Sequence, residues 1–229
     1  MDLPGLIQAL LCGLETKVSI TINTKDSRGQ TPLYLVAKYR HYGIVKLLVD
    51  KGADVNAHGG ERGNVLQAAL DKGYNQVVNL LLDQGADVNS QGGFFGNALQ
   101  AASAGGDEQT VKLLLGQGTD INTQGGLYGN ALQAASQEEH EQIIKPLLDR
   151  GADVNAKGGQ MGNVLQVASN RGDKQIVKLL LDRDADVNAQ GGHHGNAPQA
   201  ASEGDHKQIV KLLLDQGTDE PSGNALQGK

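Results

Sequence analysis

The sequence predicts an all-α fold, a solenoid of stacked helix pairs, on three observations. A Gly-Asn pair recurs at Gly63-Asn64, Gly96-Asn97, Gly129-Asn130, Gly162-Asn163 and Gly195-Asn196, each step 33 residues. Asp-(Val/Ile)-Asn triplets ending at Asn56, Asn89, Asn122, Asn155 and Asn188 keep the same step, and Asn23 extends the series backward. Between the markers, apolar residues fall at helical spacing, as in Ile44, Val45, Leu47 and Leu48. A unit of this length cannot bury its own apolar face, so a fixed period means stacked units that bury it against one another.

Composition agrees. The 229 residues are 38% hydrophobic but only 3% aromatic, with no tryptophan. That is thin for one large core and sufficient for a narrow aliphatic stripe between repeats. The 32 glycines fall mostly at fixed places in each period and so mark turns. A formal net charge of -6 argues against a nucleic-acid partner, which needs a concentrated basic face. The single cysteine, Cys12, allows neither a disulfide framework nor a thiolate cluster, consistent with a reducing compartment. No apolar run approaches the roughly 18 residues that span a bilayer. Asp2 stands where a secretory leader has basic residues. A cytoplasmic, monomeric protein without a membrane anchor is expected, the nuclear compartment remaining open.

Taken in order, residues 1–25 read as a degenerate first unit. Leu6, Ile7, Leu10, Leu11 and Leu14 lie at helical spacing, and the unit either caps the stack or is the end of one cut from a longer chain. The first full repeat spans residues 26–58. Thr31 can cap a helix with its hydroxyl, and Pro32 sits at the first helical position, where no amide hydrogen is needed. A second helix follows over residues 44–51, and Gly52 ends it where a left-handed residue is wanted.

Thr31-Pro32-Leu33-Tyr34, then Ile44-Val45-Lys46-Leu47-Leu48, then Gly52-Ala53-Asp54-Val55-Asn56 resembles the ankyrin repeat, and the resemblance covers residues 26–220 as six units. It implies two antiparallel helices per repeat, with a hairpin-like finger projecting at each junction. Repeats two to six open instead on Gly-Asn-(Ala/Val)-Leu-Gln or, in the sixth, Gly-Asn-Ala-Pro-Gln. There Asn130 can cap the helix, and Gln133 can both donate and accept hydrogen bonds, partly replacing the family's histidine. This version resembles the ankyrin arrays of filamentous fungi, which often form the sensing part of larger NACHT-type receptors. After Asp219 the pattern fails, and residues 221–229 read as an incomplete seventh repeat, either a makeshift cap or a truncation.

Two prolines interrupt the pattern. Pro146 replaces the leucine of Leu80, Leu113, Leu179 and Leu212, and an interior proline costs roughly 3 kcal/mol or more, so a kink or a shortened helix is expected. Pro198 falls in a first turn, where proline is tolerated and the loss is apolar burial.

Catalytic and metal readings are weak. His193, His194 and His206 have no cysteine or carboxylate beside them on the finger, so they read as surface residues. The Gly-Gly-x-x-Gly-Asn run lacks the lysine and preceding strand of a phosphate loop, so it reads as turn geometry. Cys12 has no obvious histidine partner, and Ser103, Ser136, Ser169 and Ser202 share one repeat position, which is architecture. The ladder Lys46, Lys112, Lys145, Lys178 and Lys211 is largely offset by Asp50, Asp149, Asp182 and Asp215. No enzyme activity and no cofactor are expected.

What varies on the repeated frame is the finger pair. Repeats three and four, residues 92–124 and 125–157, match at 18 of 33 positions. The pairs nevertheless read Glu61-Arg62, Phe94-Phe95, Leu127-Tyr128, Gln160-Met161 and His193-His194. Apolar and aromatic residues on projecting fingers mark a protein interface, and these ten residues are the candidate partner-binding set. Phe94 and Leu127 are favoured for contact. Phe95, Tyr128 and Met161 either contact the partner or pack against the neighbouring finger. The first-helix ends add Asp71, Lys72, Gln137, Glu138, Asn170 and Arg171. The expected function is a non-enzymatic scaffold that binds a protein through fingers and inner helices. The alternative is a sensing or assembly segment of a larger NACHT-type receptor.

Overall fold

The computed structural model describes residues 22–70 and 73–217. The apolar segment at residues 6–14, Cys12, Asp71, Lys72 and the incomplete repeat at residues 221–229 lie outside them.

The described residues form helix pairs at the sequence period: α1 (Pro32–Lys38) with α2 (Tyr42–Asp50), α3 (Val65–Leu70) with α4 (Asn75–Asp83), α5 (Ala98–Gly105) with α6 (Glu108–Gly116), α7 (Ala131–Gln137) with α8 (Glu141–Asp149), α9 (Val164–Arg171) with α10 (Lys174–Leu181), and α11 (Ala197–Glu203) with α12 (Lys207–Gly217). Among them, strand pairing is confined to isolated bridges such as Gly92 with Gly96. The chain divides into two compact units, Met1–Ala152 and Asp153–Lys229. In the first, α1 packs on α3, α3 on α5 and α5 on α7; in the second, α9 packs on α11.

Local chemistry sets the starts of the first helices. Thr31 accepts the Tyr34 N–H, with proline at the first position of α1. In later repeats asparagine takes over, and with glutamine three residues on it forms a reciprocal capping box at α5, α9 and α11. Second helices end at a left-handed residue, Gly52 with φ +85° and Gly118 with φ +79°, a place where Asp184 stands with φ +62°. The first-turn leucine of the first five repeats, at Leu33, Leu66, Leu99, Leu132 and Leu165, is at most 2% exposed. Burying such a side chain contributes about 1.5–3 kcal/mol, which makes this aliphatic stripe the fold's main support.

Polar side chains register one repeat on the next. Asn56 donates to the Gly85 carbonyl at 3.1 Å, and its side-chain oxygen accepts the Asp87 N–H at 2.7 Å. Asn89 repeats this with Gly118 and Asp120, and Asn155 with Asp184 and Asp186. Asn23 accepts the Asp54 N–H at 2.9 Å, so the first triplet asparagine keeps the same register.

Proline does not shorten α8. Its nine residues equal those of α2, α4 and α6. Only one amide hydrogen is lost, facing the carbonyl of exposed Gln142, while Ile143, Ile144, Leu147 and Leu148 stay buried. The last turn does differ. The Arg150 N–H caps onto Leu147 and Leu148, where the equivalent Lys51 and Gln84 also reach the carbonyl four residues back. Pro198 is accommodated in the first turn of α11 and is half-buried where the other repeats bury leucine.

Candidate functional site

Each finger is a short hairpin closed by one bridge, and its two tip residues are the variable pair. Gly93 must be glycine here: a Cβ would lie 2.2 Å from the Arg62 carbonyl carbon, so the fingers approach too closely for any side chain. Successive tips are joined through backbone. The Phe94 N–H donates to the Glu61 carbonyl at 2.8 Å, and the Leu127 N–H to the Phe94 carbonyl at 2.9 Å. In the second unit the His193 N–H donates to the Gln160 carbonyl at 3.2 Å.

This ladder sorts the pairs. The first members, Glu61, Phe94, Leu127, Gln160 and His193, are all exposed, with Phe94 at 46% and Leu127 at 39%. The second members turn inward. Phe95 is only 6% exposed and stacks on Tyr128 with centroids 6.3 Å apart and planes 13° from parallel. Arg62, Tyr128, Met161 and His194 are half-buried.

Around Phe94 the contacts are specific. Its ring meets Phe95 edge-on at 5.1 Å. The Arg62 guanidinium lies 5.7 Å from the Phe94 centroid and 5.4 Å from that of Phe95. The Arg62 N–H donates to the Tyr34 hydroxyl at 3.2 Å, and the Tyr128 hydroxyl donates to Glu138 at 2.8 Å. The result is a rigid aromatic base on which Phe94 and Leu127 stand in solvent.

The histidines go separate ways. His194 pairs through Nδ1 with Glu203 of its own repeat, whereas His206 bonds the Asn170 carbonyl at 3.0 Å. His140 does the same with the Ala104 carbonyl at 3.1 Å. These two reach back 36 residues, a role the sequence reading missed. The signal was the 33-residue series His41, Tyr74, Asp107, His140, Asp173 and His206, where Asp107 and Asp173 cap helices with their carboxylates and histidine must do something else. Of the first-helix ends, Glu138 and Arg171 are exposed, and Gln137 and Asn170 are half-buried. Ser103 and Ser169 are fully buried with no partner for their hydroxyls, as befits packing positions. Among the described residues, no three His, Cys, Asp or Glu side chains group so as to hold a metal ion, and no helix is long and apolar enough to cross a membrane.

Comparison with known proteins bears on the repeated unit. A family model described as ankyrin repeats, three copies, matches residues 2–92 and 98–191. The human ASB11 ankyrin repeat domain superposes with a TM-score of 0.74 at 22% identity, covering 92% of this chain and 96% of that one. A palmitoyltransferase akr1 of Emericella nidulans is 51% identical over 41 residues, which is 18% of this chain and 6% of that protein. Alpha-latrocrustotoxin-Lt1a of Latrodectus tredecimguttatus is 42% identical over 53 residues, 23% of this chain and 4% of the toxin. The matched stretches thus span less than a tenth of either relative.

Proposed function

Because the chain belongs to the ankyrin repeat family, we propose that it is a non-enzymatic interaction module that binds a protein partner through its finger tips and inner helical surface. The observation that carries this is the pair Phe94 and Leu127. Two large apolar side chains stand exposed on adjacent tips, their backbones joined at 2.9 Å, beside the stack of buried Phe95 on half-buried Tyr128. Exposed apolar groups on a rigid base lose little conformational entropy on binding, which is what makes aromatic and aliphatic anchors effective at interfaces. Arg62 and Glu138 supply charge at the edge of the same patch. Gln160 and His193 hold the matching positions of the second unit and give it a polar face. Met161 and His194, the second members of those pairs, are half-buried.

The test is capture of a partner from the source cell by the wild-type chain and by a Phe94→Ala, Leu127→Ala variant in parallel. A protein retained by the first and lost by the second, with circular dichroism unchanged, supports the face. Equal recovery by both overturns it.

A further inference from the structure

The turn between α1 and α2 lies at the far end of α1 from its Thr31 cap and takes no part in the finger face. It reads Lys38-Tyr39-Arg40-His41-Tyr42. Tyr39 is 51% exposed and Tyr42 41% exposed. The Lys38 ammonium lies 5.7 Å from the Tyr39 ring centroid, and the Arg40 guanidinium 5.3 Å from that of Tyr74 in the next repeat. Among the described residues no carboxylate pairs with either cation. Three of the chain's five tyrosines therefore lie at or beside one turn that carries Lys38 and Arg40.

The backbone at this place of the turn is left-handed in all six repeats. Arg40 has φ +64°, and Glu139 and Asp205 at the equivalent places have φ +61° and +57°, while the other three repeats have Gly73, Gly106 and Gly172. A side chain is disfavoured there, so Arg40→Gly removes the guanidinium without straining the backbone.

The sign of the charge selects the ligand. Within the same unit, the sequence at this place has Asp71 and Lys72 in the second repeat, which offset each other, and later turns carry Asp107 and Glu108, then Glu138, Glu139 and Glu141. The positive patch is therefore local to the first repeat, and a long polyanion running past it would meet repulsion. We infer that the α1–α2 turn is a second interaction surface that takes a short acidic segment of another protein. Its carboxylates meet Lys38 and Arg40, and its apolar side chains lie on the faces of Tyr39 and Tyr42.

The experiment is fluorescence anisotropy on the full chain with a labelled peptide of alternating glutamate and leucine, a matching lysine and leucine peptide, and a labelled oligothymidine. The glutamate peptide should saturate the wild type, and the lysine peptide should not bind. Arg40→Gly should weaken the glutamate peptide at least about fivefold while the thermal midpoint stays or rises, since glycine suits a left-handed backbone. Phe94→Ala should leave this binding intact. The inference is overturned by no binding of the glutamate peptide, by equal affinity for Arg40→Gly and wild type, by loss in Phe94→Ala, or by tighter binding of the oligonucleotide.

Discussion

The Gln100 side-chain amide donates to the Gly129 carbonyl at 2.8 Å, 29 residues downstream. The same amide reaches the Gly125 and Thr123 carbonyls at 3.1 and 3.3 Å, and its oxygen accepts the Asn97 N–H at 2.7 Å. One buried glutamine thus completes a helix cap and ties that helix to the next finger. Gln67 does so with Gly92 and Gly96, and Gln166 with Gly191 and Gly195. Gln100→Leu keeps the volume and strands these groups, and leaving buried carbonyls unmet costs about 1–3 kcal/mol each. A loss of roughly 3 kcal/mol is expected by urea unfolding, and a loss below about 0.5 kcal/mol would contradict the tie.

Gly96 stands against that glutamine. Its φ is +99°, and a Cβ would come 2.2 Å from Gln100 Oε1, whereas Gly118 with φ +79° has open space around it. Both alanine variants carry the left-handed penalty of roughly 1–2 kcal/mol, and only Gly96→Ala also disturbs the tie. Gly96→Ala is expected to destabilise by at least about 1 kcal/mol more than Gly118→Ala in the same unfolding assay.

Pro146→Leu restores the amide hydrogen missing from α8 at a half-buried position where other repeats have leucine. An interior proline costs about 3 kcal/mol, part of which α8 already absorbs through its buried aliphatic face, so a gain of about 1–3 kcal/mol is expected. An unchanged or lower urea midpoint would show that proline is the better residue there.

The finger pair separates stability from contact. Phe95, 6% exposed and stacked on Tyr128, should cost about 2–4 kcal/mol as Phe95→Ala. Phe94→Ala, removing a ring that is 46% exposed, should cost less than about 1 kcal/mol. Similar losses for the two would mean that both rings serve the fold.

Period and caps were legible because they are local: the Thr31 hydroxyl and the Asn97 side chain bond within their own first turn. The value of glutamine as a two-way hydrogen-bonding group could be read from its chemistry, though not its partners 23 to 29 residues away. The sequence favoured Phe94 for contact and left Phe95 open between the partner and the neighbouring finger, since both are phenylalanine and only the bonds between neighbouring fingers fix that Phe95 faces the stack. The persistence of α8 was missed for a related reason. A propensity applies to an isolated helix, and here Ile143, Ile144, Leu147 and Leu148 hold the helix by burial.

The measurement that bears most directly on the binding face is site-specific photocrosslinking in the source cell. A photoreactive residue replaces Phe94 in one variant and, as control, Lys112 on α6 in another. The Lys112 side chain is 52% exposed. A discrete protein adduct at position 94 and none at position 112 is expected. An adduct at 112 without one at 94 would contradict the finger face as the site where a partner sits.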